Sequence, residues 1–308
     1  MKLYFAPLEG ITGYIFRNAF HKAFNPKIDK YFSPFISPGV NQPLTPKELR
    51  DIHPDNNKDM YLVPQILANN PDDFLLATRY IKELGYDEVN LNLGCPSGTV
   101  VAKKKGSGLL GELDILDKML DKIYENTDMK VSIKTRIGKE SPEEFPEILD
   151  VLSKYPVYEL IIHPRVRSEF YKGKPHMDSF EQAVDKDFAS VGYNGDILTV
   201  EHFKDIEIKY PTIDSIMIGR GFLRNPSLAN MIVDGGNPDM SAIQRFHDLL
   251  LEAYIEEMSG ERPVLFKMKE LWCYLIDMFE DADKQAKKIR KCEKLAVYKD
   301  IAEEMFAR

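Results

Sequence analysis

Short apolar runs with strand character recur through the first three quarters of the chain, and helical patterns lie between most of them. The pattern predicts eight strands, near 2–6, 31–36, 61–67, 87–92, 130–135, 158–163, 188–192 and 214–219. It predicts helices over 72–84, 112–125, 143–154 and 200–209, and only a weak helix and loop around 45–52. Strands that alternate with helices favour parallel pairing.

Eight such units fit the size of a closed (β/α)8 TIM barrel, with a doubly wound open sheet as the alternative. A barrel also requires its chemistry to lie just after the strands. Candidate residues lie in, end or follow seven of the eight predicted strands: Pro7, Gln65 within the third strand, Asn92 with Cys95, Lys134 with Arg136, His163 with Arg165, Asn194 with Gly195, and Gly219 with Arg220. We therefore predict a barrel whose mouth is the functional site.

The turn-forming stretch DGGNPD at 234–239 predicts a domain boundary. Beyond it, 241–308 shows helical patterns and no strand signal. We expect a catalytic barrel over 1–235 and a small helical domain over 241–308.

Composition narrows the class of protein. With 44% hydrophobic and 29% charged residues, the chain is typical of folded soluble proteins, and its net charge of −8 argues mildly against a nonspecific nucleic-acid coat. No apolar run approaches the roughly 20 residues of a membrane helix, and the start lacks the pattern of a signal peptide. The three scattered cysteines predict neither a disulfide framework nor a metal pair. We expect a cytoplasmic monomer that binds no metal and no membrane.

The loop NLGCPS at 92–97 is the sharpest local feature. It places Cys95 between glycine and proline directly after a strand, hence at the barrel mouth, whereas a buried structural cysteine is the alternative. A thiol with an ordinary pKa of about 8.5 is protonated at neutral pH and can act as a general acid. Cys273 and Cys292 lie on helical patterns, and we interpret both as structural.

The segments NGDI at 194–197 and IGRG at 218–221 follow the last two strands, where barrels often bind phosphate. Glycine lets backbone N–H groups approach an anion and Arg220 adds a charged donor, so they predict a phosphate-bearing cofactor; tight turns with a surface arginine are the alternative.

Lys134, with Arg136 and His163, points the same way, because a lysine at a barrel mouth needs an anionic partner such as a reduced flavin. A Schiff-base lysine, as in aldolases, is the competing interpretation, and His163 could instead be a hydrogen-bonded core residue.

Several basic runs stand out against the acidic whole. Each alone is more often a solvated face, but together they predict a groove for an RNA backbone, with Tyr171 available to pack on a base. The cations proposed to contact RNA are Lys103, Lys104, Lys105, Arg165, Lys267, Lys269, Lys287, Lys288, Arg290 and Lys291, and Arg167, Lys172 and Lys174 belong to the same clusters.

An ordered set of motifs along nearly the whole chain resembles the tRNA-dihydrouridine synthase family, flavin enzymes that reduce uridines in tRNA. The motifs are APLEGIT at 6–12, NLGCPS at 92–97, GSGLL at 106–110, SIKTRIG at 132–138, the residues His163, Arg165, Tyr171 and Gly173, NGDI, IGRG, and KMKELW at 267–272. Pro164 and Tyr193 depart from the family pattern, which usually has glycine and a small residue at those positions.

The resemblance implies a role for each candidate. FMN would be held by Pro7, Leu8, Glu9, Gln65, Lys134, His163, Asn194, Gly195, Asp196, Gly219 and Arg220. Asn92, Arg136 and Tyr171 would hold the uracil, Cys95 would donate the proton, NADPH would be the reductant, and the helical tail would contact tRNA.

Three rival functions remain open. They are a flavin barrel acting on a free pyrimidine, like dihydroorotate or dihydropyrimidine dehydrogenases, a non-catalytic RNA-binding relative, and a phosphate-binding aldolase that uses Lys134. The basic tail counts against the first, and the presence of Cys95, Lys134 and His163 counts against the second.

Overall fold

In the computed structural model, which describes residues 1–39 and 42–307, nine short strands form one parallel sheet. They are β1 (Lys2–Phe5), β2 (Lys30–Phe32), β3 (Leu62–Val63), β4 (Gln65–Ile66), β5 (Glu88–Leu93), β6 (Lys130–Arg136), β7 (Leu160–His163), β8 (Val191–Tyr193) and β9 (Ser215–Ile218). The spatial order is β3-β2-β1-β9-β8-β7-β6-β5-β4. Since β3 and β4 are separated only by Pro64, the two ends of this order meet and the sheet closes into a barrel, which confirms the predicted fold class.

Two strands differ from the prediction. Pro64 has no N–H to give to the ladder, so it splits the predicted strand near 61–67 into β3 and β4, although its carbonyl still accepts from Asn90 at 3.0 Å. The strand predicted at 188–192 begins only at Val191, because the Phe188 amide donates to Lys186 in a local turn instead.

Helices lie between the strands and beyond them. Their bounds are α1 (Tyr14–Phe24), α2 (Pro46–Ile52), α3 (Pro71–Glu83), α4 (Gly98–Val101), α5 (Leu113–Asn126), α6 (Phe145–Leu152), α7 (Met177–Val184), α8 (Val200–Lys209), α9 (Arg220–Arg224), α10 (Leu228–Asp234), α11 (Met240–Glu257), α12 (Glu261–Leu275), α13 (Asp283–Lys291) and α14 (Leu295–Phe306). The weakly predicted α2 is fixed by a capping box between Thr45 and Glu48.

The residues group into two compact units. The first comprises Met1–Pro7, Asp29–Gly195 and Glu207–Met217, and the second comprises Leu8–Ile28, Asp196–Ile206 and the chain from Ile218 onward. The domain bounds predicted from the sequence, 1–235 and 241–308, stay a prediction.

Inside the first unit, the barrel is filled by two kinds of side chain. An apolar cluster of buried residues takes part of the interior, namely Tyr4, Ala6, Phe32, Val63, Ile161 and Met217. On β5, alternate residues differ, because Glu88, Asn90 and Asn92 are polar and buried while Val89 and Leu91 are apolar. Because side chains alternate between the two faces of a strand, the polar residues of β5 form a row on one face, inside the barrel.

In the second unit, aromatic rings join α1 to α11. Phe246 packs against Phe16, Phe20 and Phe24 at centroid distances of 5.1, 6.1 and 6.0 Å. The spacing of four residues along α1 brings these three rings to one face. Across residues 1–39 and 42–307, every helix is too short or too polar to cross a membrane.

Candidate active site

Cys95 lies on a loop that is held from both sides. On one side, the Asn92 side-chain oxygen accepts the N–H groups of Gly94 at 3.0 Å and Cys95 at 2.9 Å. On the other side, Ser107 donates to the Cys95 carbonyl through its hydroxyl at 2.7 Å and its amide at 3.2 Å. The thiol is partly exposed and forms no disulfide, so the loop presents a reduced cysteine in a fixed place.

Two glycines make this loop possible. Gly106 has φ +56°, and a Cβ there would lie 3.0 Å from the Cys95 Cβ. A Cβ on Gly108 would lie 2.8 Å from the Val101 carbonyl oxygen. The GSG sequence therefore packs its backbone against the cysteine loop at Gly106 and against α4 at Gly108, where side chains would not fit.

A row of buried side chains, here called the amide chain, continues from Asn92 into the barrel. Asn92 donates to Gln65 at 2.6 Å, Gln65 to Asn90 at 2.9 Å, and Asn90 to the Ser132 hydroxyl at 3.0 Å. Ser132 then donates to Glu88 at 2.9 Å. All donors point the same way and the chain ends on a carboxylate, an arrangement in which successive hydrogen bonds strengthen one another.

Lys134 is a cation without an anion. The β5–β6 register sets it beside Asn92, and burial, together with the positive charge of Arg136, lowers the pKa of Lys134 to about 7. In the part of the chain that the structure describes, its Nζ has no hydrogen-bond or ion-pair partner. A buried amine in this state fits an anionic ligand, as the predicted reduced flavin would be.

Arg136 ties two loops together. Its guanidinium donates to Gly94 at 3.0 Å, Val166 at 2.9 Å and Phe170 at 2.7 Å, and it lies 5.5 Å from the Tyr171 ring centroid. Burial lowers the pKa of this side chain to about 10. Since a guanidinium has five N–H groups and three are used, two remain for a substrate.

The loop after β7 lies over one of the predicted RNA contacts. Arg165 is completely buried and donates to the carbonyls of Lys172 at 3.2 Å and Gly173 at 2.6 Å. It therefore supports this loop, and its contact with tRNA stays a prediction. His163 lies 3.3 Å from the Arg165 guanidinium and stacks on the Tyr171 ring at 5.9 Å.

Asn194 and its neighbours follow β8. Asn194 donates to the Met217 carbonyl at 2.8 Å. The unusual Tyr193 packs edge-on against Phe180 of α7 at 5.1 Å, and its ring fills the space that a Cβ at Gly195 would need. With tyrosine at 193, only glycine fits at 195. Pro7 comes two residues after the end of β1.

In the second unit, Arg220 pairs with Asp196 at 2.5 Å. A Cβ on Gly221 would collide with the Ile197 carbonyl oxygen, so the segments 196–197 and 219–221 lie directly against each other. The Leu8 amide donates to Thr12 at 2.8 Å, and Glu9 is exposed. The role of this unit in phosphate binding stays a prediction.

The family model for dihydrouridine synthases matches residues 4–307. The chain belongs to the dihydrouridine synthase family. tRNA-dihydrouridine synthase B of Pasteurella multocida is 32% identical over 165 residues, which cover 53% of this chain and 49% of that protein, so this match spans about half of the relative. A probable tRNA-dihydrouridine synthase of Staphylococcus aureus is 29% identical over 236 residues, covering 72% and 68%.

Solved structures share the fold of this family member at low sequence identity. Morphinone reductase has 12% identity and a TM-score of 0.53, with 78% of this chain and 88% of that chain covered. The old yellow enzyme from Trypanosoma cruzi has 10% identity and a TM-score of 0.52, with 77% and 89% covered.

The predicted RNA-contacting cations of this dihydrouridine synthase family member differ in how many hydrogen bonds and ion pairs they make within the chain. Lys267 donates to the Gly10 carbonyl and pairs with Glu270 at 3.1 Å, and Lys269 donates to the Cys292 carbonyl at 2.5 Å. By contrast, α13 exposes Lys287, Lys288, Arg290 and Lys291, of which only Lys288 has an ion pair among the described residues, with Glu304 at 3.3 Å.

The predicted lysine run at 103–105 is also partly engaged. Lys104 pairs with Glu112 at 2.9 Å, and Lys105 lies 3.5 Å from the Ser37 hydroxyl, with its pKa lowered by burial. Lys103 is exposed.

Sequence reasoning missed the residues that hold the candidates in place. Asn90 and Ser132 carry the amide chain, and Ser107 anchors the Cys95 carbonyl. The alternation of Asn90 with Asn92 was a usable signal, because two buried-strand asparagines on one face require partners. No signal in the sequence distinguished Arg165 from its exposed neighbours.

Proposed function

We propose that the chain is a flavin-dependent tRNA-dihydrouridine synthase, which reduces the C5=C6 bond of uridines in tRNA and acts in the cytoplasm. Membership of the family and the names of its relatives support the reaction class. The observation that carries the proposal lies in the first unit, at the carboxyl ends of neighbouring strands. A fixed loop with a reduced cysteine follows β5, an amine without an anionic partner among the described residues lies near the end of β6, and an aromatic loop follows β7.

FMN fits the residues of this unit. Lys134 offers the positive charge that an anionic flavin needs, and Pro7, Gln65, His163, Asn194 and Gly195 are proposed as its other contacts; those of Leu8, Glu9, Asp196, Gly219 and Arg220 remain proposals from the sequence. When bound and reduced by NADPH, FMN supplies the hydride that adds to C6 of uracil.

The chain's own residues manage the proton and the charge. Addition at C6 places negative charge on C5 and O4, and the Cys95 thiol donates a proton to C5. Arg136 has two N–H groups left, and Asn92 has one, to hold the uracil and stabilise that charge. Tyr171 offers its exposed ring to the base. Because a stacked base cannot reach a barrel mouth, the RNA must present the uridine splayed out.

The test uses the purified chain with FMN, NADPH and unmodified tRNA transcripts, and measures dihydrouridine by mass spectrometry of the digested RNA. We expect product from tRNA and none from free uracil, uridine or dihydroorotate. Turnover of a free pyrimidine with no tRNA product would favour the small-molecule rival, and a colourless preparation that binds no FMN would contradict the flavin. Mapping dihydrouridine in cells with and without the gene would then identify the position.

A further inference from the structure

The loop after β7 holds Phe170 in a backbone conformation that glycine favours. Phe170 has φ +54° and ψ −96°, and the Lys172 amide donates to the Glu169 carbonyl at 2.9 Å. These features match the first central position of a type II′ turn, where glycine is usual. A phenylalanine is strained at this position, and its ring is 43% exposed. The sequence therefore keeps a large exposed ring where local structure disfavours any side chain.

A cation lies against this ring. The Arg167 guanidinium carbon is 5.5 Å from the centroid of Phe170. Its Nε is buried and has no hydrogen-bond partner among the described residues, and no carboxylate in that part of the chain pairs with it. A buried N–H without an acceptor costs free energy unless a ligand satisfies it. The residue as a whole is only half-buried, so the chain leaves the accessible part of this guanidinium to an external acceptor.

The turn is also rigidly placed. The Phe170 carbonyl accepts from Arg136 at 2.7 Å, the same guanidinium that contacts the cysteine loop through Gly94. Glu169 accepts the Val166 amide at 2.8 Å and contacts His176 at 2.8 Å. The exposed ring is consequently fixed relative to Cys95 and is next in sequence to Tyr171.

We propose that Phe170 and Arg167 bind a nucleotide adjacent to the target uridine, with the ring stacked on its base and the guanidinium on its phosphate. This inference rests on the proposed function, since it takes RNA as the substrate. An exposed aromatic ring stacks on any base, and an arginine fork matches phosphate oxygens, so the pair has the chemistry of a single-stranded nucleotide site. Extrusion of the uridine unstacks its neighbour, which then needs a new surface.

The first test measures binding of the FMN-loaded full chain to an unmodified tRNA transcript. F170A should raise Kd about 5- to 100-fold, the range for loss of one stacked base, and F170W should restore it. Tyr158→Ala is the matched control, because Tyr158 is 40% exposed but precedes β7, whereas Phe170 follows it. Equal Kd values for wild type and F170A would overturn the proposal.

Two further variants separate binding from folding. F170G should weaken binding as F170A does, yet its unfolding midpoint should equal or exceed that of the wild type, because glycine relieves the positive φ. If lost binding in these variants merely follows lost stability, the proposal is wrong. Arg167→Gln should lower the slope of log Kd against log salt by about 0.7 to 0.9, as expected for one phosphate.

The nucleotide itself is located by abasic substitution. Single-stranded positions of the transcript are replaced one at a time, and one of them should weaken binding of the wild type but not of F170A. If no position behaves in this way, the ring stacks on no base. A wild type that binds RNA without forming dihydrouridine contradicts the proposed function alone, whereas a wild type that binds no RNA contradicts both.

Discussion

Cys95 shows how a single residue acquires a role from the bonds around it. Asn92 and Ser107 hold its backbone, and nothing in those contacts involves the thiol. We therefore expect Cys95→Ala to keep the loop, to bind FMN and tRNA, and to accept electrons from NADPH. Reduction of uridine should fall about 100-fold or more, the usual contribution of a positioned general acid.

The decisive measurement is single-turnover oxidation of the prereduced variant by tRNA, compared with wild type. Cys273→Ala, at an exposed cysteine on α12, is the control and should react normally. A near-normal rate for Cys95→Ala would show that another group delivers the proton.

Lys134 makes a prediction about pH. Its pKa of about 7 in the folded chain is below the value near 10.4 of an unfolded lysine, so the unfolded state binds the proton more tightly. This charge destabilises the fold fully below pH 7, and the penalty disappears as pH rises toward 10. In flavin-free protein, Lys134→Met should raise the free energy of unfolding by roughly 2–4 kcal/mol at pH 6 and by little near pH 10.

Urea unfolding at several pH values checks this expectation. Lys130→Met is the control on the same strand, because the Lys130 amine is exposed and pairs with Asp87 at 2.8 Å. A gain for Lys134→Met that does not change with pH would contradict the lowered pKa.

At the scale of elements, the sequence predicted best where local signals agree. Asn70 and Pro71 begin α3 with a side-chain cap and a fixed φ, and its start was predicted within one residue. The prediction omitted α1, although Phe16, Phe20 and Phe24 are spaced by four, because no capping side chain marks its start. At β3 and β4, Pro64 divides the strand because it has no backbone N–H. The apolar pattern over 61–67 predicted a single strand because it does not take hydrogen-bond donors into account.

For the candidate site, the sequence predicted the positions of the residues but not their hydrogen-bond partners. Cys95 follows β5, and Lys134 and Arg136 lie at the end of β6, so their place at the mouth came from topology alone. The partners of each side chain did not, since Arg165 and Lys269 donate to carbonyls on loops that fold back onto them. Burial of a charge depends on such loop conformations, which a pattern along the sequence does not contain.

The helix α13 carries its own prediction. Replacing Lys287, Lys288, Arg290 and Lys291 with alanine should weaken tRNA binding and flatten its salt dependence, because fewer counterions are released. The control removes the same charge from ion-paired lysines of the barrel unit, Lys82, Lys122, Lys130 and Lys154, and should change the salt slope little. Equal slopes for both variants would remove α13 from the interface. Oxidation of NADPH without tRNA should be normal in both.

At the scale of the barrel as a whole, one buried cation joins several strands. Lys30 pairs with Glu88 at 2.7 Å and Glu159 at 3.2 Å. The rings of Tyr4 and Tyr158 lie 5.3 and 5.1 Å from its ammonium group, and Tyr4 also donates to Glu159. The pKa of Lys30 is raised by these carboxylates, although burial opposes the shift. This cluster joins β1, β2, β5 and the approach to β7 across the interior.

Lys30→Met should therefore destabilise the protein by about 3–5 kcal/mol at neutral pH, because it leaves two buried carboxylates unpaired. Burial already raises the pKa of Glu88, and without the lysine this pKa should rise further. A raised carboxyl pKa favours the fold below the unfolded value near 4.3 and loses that contribution as pH rises. The deficit of the variant should thus be smaller at pH 5 than at pH 8.

Denaturant unfolding at both pH values measures the difference, with Lys82→Met, at an exposed pair with Asp128, as the control. An equal deficit at pH 5 and pH 8 would mean that the carboxylates find other partners.

The amide chain also limits how this barrel can evolve. Asn92, Gln65 and Asn90 each accept with the side-chain oxygen and donate with the amide nitrogen, and the Ser132 hydroxyl does both. Any one change leaves a buried neighbour without its partner, so drift at these positions is confined to matched pairs of substitutions that keep the direction of donation. The apolar half of the interior has no such polarity and can exchange one methyl group for another singly. We therefore expect the polar and the apolar residues of the barrel interior to accumulate substitutions at different rates during evolution.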